Sequence, residues 1–218
     1  MTQPIPRDAM YRRRVFDADV IEICVRWYIT YRLSYRDLVE IMAERGIQVA
    51  HTTILRWVLR YVPEYEKRWN RLARPVGTSW RVDETYVSLR SRWHYLYRAV
   101  DKYGKTIDFL LRRNRGITLD GHVPSRRALW LLRREHPCWR NVEVRTNRYL
   151  NNVIEQDHRA IKRRCASMAG FKSFTNAAVA IAGIELAHRI RKRQFHLGRS
   201  YRRRRGWSLR NEWEIALA

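Results

Sequence analysis

The chain has 218 residues with 45 Lys and Arg against 21 Asp and Glu, a formal net charge of +24, and 45% of its residues are apolar. That length holds a small domain and a medium one with real cores, and the charge excess, mostly Arg, names nucleic acid as the expected partner. Three widely spaced cysteines, Cys24, Cys138 and Cys165, exclude a disulfide framework and a clustered zinc site. No apolar run approaches the roughly 18 residues of a membrane span, so a soluble, cytoplasmic protein without membrane contact is expected. On charge alone, a structural RNA binder or a merely basic surface stays open.

From residue 17 to 30, apolar side chains recur at Val20, Ile21, Cys24, Trp27 and Tyr28, the spacing of an amphipathic helix. Ser34 heads a second helix. Ser34 and Asp37 are spaced as in a capping box, Leu38, Ile41 and Met42 form the inner stripe, and Gly46 is placed to end the helix in a left-handed turn. A third helix is predicted from about Thr52 to Trp69, with Ile54, Leu55, Val58 and Tyr61 inward and His51, Thr53, Arg56 and Arg60 outward. Helix, short Gly-bearing turn and helix with a polar start is the helix-turn-helix pattern, whose second helix enters the major groove. Thr53, Arg56 and Arg60 are therefore candidate DNA contacts, although a three-helix packing module without DNA has the same pattern. Pro75-Val-Gly77 breaks it and bounds a DNA-binding domain at 15–74.

The period then changes from 3.6 to 2. Trp80–Val87, Trp93–Val100 and Thr106–Leu111 are rich in aromatic and β-branched residues and read as strands. Asp101-Lys-Tyr-Gly104 supplies a hairpin turn, and Trp93, Tyr95 and Tyr97 read as sheet packing. Ile117–Asp120 is a short apolar run ending in Asp, Arg126–Arg134 a helix candidate and Asn141–Val144 another short strand. Ser173–Phe195 is a closing helix with Ala177, Ala180, Ile181, Ile184, Ala187 and Ile190 on its buried side. The fold class is α/β, a mixed sheet with helices over 78–195. The remainder, 196–218, is a basic tail whose last dozen residues can form a helix with Leu209, Trp213, Ala216 and Leu217 on one side.

Three carboxylates carry the functional reading. Acidic residues are depleted in strands, so Asp83 inside Trp80–Val87 asks for a reason; a solvent-facing or salt-bridged Asp is the plain one. Asp120 ends a predicted strand. Glu155 stands on a predicted helix with Arg159 and Lys162 on its own face and Ile154, Ile161 and Cys165 on an adjacent buried stripe. A carboxylate beside two cations suits a divalent metal at one end and a phosphate at the other. Glu84 points to the opposite face of its strand from Asp83.

Val82–Val87, Trp93–Asp101, Asp120-Gly-His122, Arg145–Asn152, Glu155–Arg159 and Gly170–Phe174 closely resemble the compact DDE transposases of prokaryotic insertion sequences in the IS-six family. The resemblance runs from about residue 15 to Phe195. It implies an RNase H-like catalytic core of the retroviral-integrase type, with Asp83, Asp120 and Glu155 as catalytic metal-binding triad. Two Mg²⁺ ions, with Mn²⁺ as the alternative, would share it about 3.5–4 Å apart, bridged by Asp83. His122 and His158 are then hydrogen-bonding neighbours, since Mg²⁺ prefers oxygen. The resemblance makes Lys162 the basic residue kept for DNA, beside Arg159, with Arg148, Asn151 and Asn152 as further contacts. The implied partners are double-stranded DNA, both element ends and target, and further copies of the chain in a homo-oligomer that pairs two ends. The implied reaction frees a 3′-hydroxyl at a terminal inverted repeat and directs it at a target phosphodiester.

The chain departs from that family in one place. A long helix follows the third strand in the family fold, whereas here Leu111–Gly116 runs straight into Ile117, an apparent internal deletion between Arg113 and Ile117. In strand order 3-2-1-4-5 the link crosses a diagonal of roughly 21 Å. From Leu111 to Ile117 an extended chain reaches about 20–22 Å, so the connection is taut. The sheet face the helix would bury is left exposed or is covered by a substitute, for which the segment around Trp207 and Trp213 is the candidate. A catalytically impaired derivative that binds element ends and inhibits transposition is the second reading. If the charge excess engages phosphates, log affinity for duplex DNA is expected to fall against log salt by roughly 0.9 per phosphate neutralised; a flat response in a filter-binding titration rules out the basic surface as a DNA footprint.

Overall fold

The computed structural model describes residues 9–12, 15–75, 80–113, 159, 161–165, 171, 173–197 and 208–217, and for 80–84 the backbone alone. The architecture is mixed α/β in two compact units, Met1–Ala73 with Val179–Ala218, and Arg74–Ala178. The first unit takes in residues from both ends of the chain.

In the first unit, a short 3-10 turn at Ala9–Tyr11 precedes α1 (Ala18–Thr30), α2 (Tyr35–Ala43) and α3 (His51–Asn70). Each helix forms where the apolar spacing predicts it. Ile21, Cys24 and Tyr28 of α1 are buried, joined by Val25 and Ile29, while Val20 and Trp27 are half-buried. Burial without a partner charge pushes the Cys24 thiol up to about 12. On α2, Leu38 and Met42 are buried and Ile41 is half-buried. On α3, Ile54, Val58 and Tyr61 are buried as expected, but so are Trp57, Val62, Tyr65 and Trp69, and Leu55 is only half-buried.

Two C-terminal helices complete this unit. The helix α4 runs from Phe174 to Arg191, and its residues from Val179 on belong to this unit. Gly183 marks its close approach: a Cβ there would lie 2.6 Å from Ile29 Cγ2 and 3.1 Å from Val62 Cγ1. Beyond α4, Ala73 and Phe195 form an isolated antiparallel bridge, and the His196 amide donates to the Leu72 carbonyl at 2.7 Å. Within the segment expected as a tail, α5 (Leu209–Leu217) buries Trp213, Ala216 and Leu217. Trp213 meets the rings of Tyr65 and Trp69 edge-on, each at 5.4 Å. It is thus seated on α3; Trp207 lies outside the described residues.

In the second unit, β1 (Trp80–Leu89), β2 (Arg92–Asp101) and β3 (Thr106–Arg112) form an antiparallel sheet with β2 in the centre. The β1–β2 hairpin turns on Arg90 and Ser91, with φ of 49° and 61°, the paired positive angles that match the twist of a two-residue hairpin. The β2–β3 hairpin turns where Asp101–Gly104 predicts it. Asp101 Oδ1 accepts from the amides of Tyr103 and Lys105, both at 2.9 Å, and Gly104 takes φ 76°. Tyr97 packs in the sheet as read from sequence, but Trp93 is 66% exposed, because it stands next to the hairpin turn, opposite Ser88. The predicted elements at 117–120, 126–134 and 141–144 lie outside the described residues. No helix among the described residues is long and apolar enough to cross a membrane.

Ala normally favours a helix interior over Gly by about 1 kcal/mol. At Gly183 the extra methyl meets stiff β-branched side chains, so Gly183→Ala is expected to destabilise the fold by about 1–3 kcal/mol. Urea unfolding measures this, and a gain in stability rules out the close approach.

Candidate nucleic-acid interface and carboxylate site

The α2–α3 pair is held at its corner by the residues that the sequence singles out. The Asp37 amide donates to Ser34 Oγ at 3.2 Å and the Ser34 amide to Asp37 Oδ2 at 2.7 Å, a reciprocal cap that fixes where α2 starts. Gly46, at φ 73°, ends the helix in the left-handed conformation that a Cβ disfavours. The Ile47 amide then donates to the Met42 carbonyl at 2.9 Å, and residues 47–50 lead into α3. Of the residues expected to face outward, His51, Arg56 and Arg60 are exposed and Thr53 is half-buried. Arg56 and Arg60 are one helical turn apart, so their guanidinium groups project from one side of α3.

Asp83 lies in β1 directly opposite Arg98 of β2, and Glu84 opposite Tyr97. By the two-residue period of a strand, Asp83 shares the register of Thr85, Val87 and Leu89, all of them buried. The strand residue across from it, Arg98, has no exposed surface, and its Nη2 donates to Thr106 Oγ1 at 3.4 Å. A guanidinium so deeply buried requires anionic or hydrogen-bonding company. The signal of Arg98 in the sequence is a lone cation within the aromatic-rich run Trp93–Val100. The side chain of Asp83 and all of Asp120 and Glu155 lie outside the described residues, as do Arg148, Asn151 and Asn152.

Residues 161–165 are helical. Ile161 is buried, Cys165 is half-buried, and Arg159, Lys162 and Arg163 are exposed, so this turn has the apolar and basic sides that its spacing implies. Arg164 is buried as well, which the spacing does not reveal. Arg159 and Lys162, three apart, stand together on the basic side.

A family model for the DDE domain matches residues 77–118 and 112–194, two stretches that together take in Asp83, Asp120, Glu155 and Lys162. A DDE domain therefore occupies more than half of the chain. Over 209 aligned residues the chain is 34% identical to the transposase for insertion sequence-like element IS431mec of Staphylococcus aureus (strain N315), covering 84% of this chain and 89% of that one. It is 33% identical, with the same coverage, to the transposase for insertion sequence element IS257 in transposon Tn4003 of Staphylococcus aureus. A stretch of 32 residues, 15% of this chain and 30% of the other, is 50% identical to an uncharacterised protein of Yersinia pseudotuberculosis serotype I (strain IP32953). No solved structure matches. The chain belongs to the DDE transposases of the IS-six family of insertion sequences.

Arg56 is exposed, so it is free to serve a ligand without supporting the fold. Arg56→Ala is expected to change unfolding free energy by less than about 0.5 kcal/mol; a larger loss in urea unfolding assigns this cation to the packing of α3.

Proposed function

We propose that the protein binds the terminal inverted repeats of an insertion sequence and catalyses their Mg²⁺-dependent cleavage and transfer to a target. The observation that carries this reading is the 34% identity to a transposase over 84% of the chain, reaching beyond the DDE domain. In this reading 15–74 is a helix-turn-helix domain whose α3 presents Thr53, Arg56 and Arg60 to the repeat. Residues 78–195 form an RNase H-like core, and 196–218 add basic residues. The protein acts in the cytoplasm as a homo-oligomer that brings two element ends together.

Asp83, Asp120 and Glu155 would hold the metal. An all-carboxylate donor set fits Mg²⁺ or Mn²⁺, hard ions that take oxygen ligands. Two bound ions would supply activation of the attacking oxygen and charge stabilisation at the departing one. The chain's own cations do the positioning. Arg159 and Lys162, exposed on one side of their helical turn, take the phosphates next to the scissile bond. Arg148, Asn151 and Asn152 extend the same contact, and none of these residues forms a covalent bond to DNA.

A second reading is favoured by the way the family match divides. The family model matches in two stretches that share 112–118, at the end of β3 and just past it. That division supports a shortened connection after β3. A chain so shortened would occupy element ends and block the full-length enzyme. The full chain incubated with labelled repeat ends, a target plasmid and Mg²⁺ is expected to yield joined product, lost with EDTA or with Asp83→Asn. Binding without joining favours the inhibitor instead, and product that is cut but never joined assigns a nuclease.

A further inference from the structure

The sheet of the second unit leaves rings uncovered on one face. Tyr86 pairs with Tyr95 and Ser88 with Trp93 across β1 and β2, and Tyr95 pairs with Arg112 of β3. Directly opposed residues share a face, so Tyr86, Trp93, Tyr95 and Arg112 stand together on one side of the sheet. Trp93 is 66% and Tyr86 43% exposed. Tyr86 meets Trp93 at 6.4 Å and Tyr95 at 5.5 Å, both edge-on, so the cluster is preassembled and not a scatter of single rings. Arg112 is exposed, and so are Arg90 in the adjoining turn and Arg92 beside it.

Exposed rings bracketed by cations match the chemistry of unpaired nucleotides, whose bases stack on aromatic faces while their phosphates take the positive charge. A duplex keeps its bases stacked inside and has little to offer Trp93. A second copy of this chain fits worse, because like faces would set Arg90 and Arg112 against the same cations. We propose that the Tyr86–Trp93–Tyr95 face is a platform for unpaired DNA nucleotides, with Arg90 and Arg112 holding the intervening phosphates. This rests on the DNA-processing reading above: nicking an element end frees flanking nucleotides to leave the stack.

The test uses the full chain in EDTA, with a fluorescent oligothymidylate of about twelve nucleotides as the single-stranded probe and a repeat-end duplex beside it. Trp93→Ala and Tyr86→Ala are each expected to weaken oligothymidylate binding about tenfold and leave duplex affinity within about a factor of two, while Trp93→Phe retains binding. Unchanged oligothymidylate affinity, or an equal loss for both probes, overturns the platform. So does self-association of the wild-type chain, seen by sedimentation, that Trp93→Ala abolishes. A wild-type chain that binds the duplex but not the oligothymidylate defeats the platform alone; one that binds neither defeats the DNA-processing reading with it. The unfolding midpoint of each variant confirms that the sheet is intact.

Discussion

The first unit is assembled on a row of rings along α3. Trp57, Tyr61, Tyr65 and Trp69 recur at intervals of four and are all buried. Because a helix turns 3.6 residues at a time, each ring is rotated about 40° from the one before, so the row winds around the helix and no single neighbour can cover it. The cover is accordingly drawn from distant parts of the chain. Phe16 lies edge-on to Trp57 at 5.1 Å, Tyr11 lies 5.0 Å from Tyr61, and Phe195 and Trp213 close on Trp69. Such ring pairs are worth about 0.5–1.5 kcal/mol each beyond their buried area. Residues before α1 and after α4 are thereby bound into the same core as the helix that the proposed function points at DNA.

Polar groups enter this core on restrictive terms. The hydroxyls of Tyr11 and Tyr65 meet at 2.7 Å, and burial foremost raises the Tyr65 hydroxyl well above its ordinary range, so it stays protonated and hydrogen-bonded. Arg26 pairs with Glu22 at 2.9 Å and lies over the Trp213 ring at 5.5 Å. Burial nevertheless raises the Glu22 carboxyl, outweighing the lowering by Arg26. A carboxyl raised in the folded state favours folding in its protonated form, and that contribution is lost as pH rises through its folded value. At neutral pH the charged pair therefore adds little to the stability of the unit.

Local chemistry was legible in the sequence where a few adjacent residues determine it. The Ser34–Asp37 cap, the Gly46 turn and the Asp101–Gly104 hairpin all form as their side chains dictate, and the three strands run within about two residues of their predicted limits. What periodicity cannot report is the partner of an apolar face. The buried side of α4 is plain in its spacing, yet only the close approach at Gly183 shows that it packs on Ile29 and Val62. Trp213 is equally plain as an apolar residue and equally silent about docking on α3. Trp93 misled in the opposite sense, since strand propensity predicts the strand but not which ring near its end stays in water. Of the candidate site, the exposed cations Arg56, Arg60, Arg159 and Lys162 follow from spacing, whereas the buried Arg98 opposite Asp83 emerges only once β1 and β2 are in register.

The separation into two units bears on how a shortened chain behaves. Under the proposed function, end recognition draws on α3, whose support comes from Tyr11, Phe16, Phe195 and Trp213, all within the first unit. Bond breaking under the same reading requires the carboxylates of Asp83, Asp120 and Glu155 to converge, and metal-assisted chemistry tolerates little displacement of its ligands. A loss of chain after β3 acts on the second requirement and leaves the first untouched. Under that function recognition is the more durable half: it depends on a contiguous, well-covered helix, while catalysis depends on three carboxylates far apart in sequence being held together.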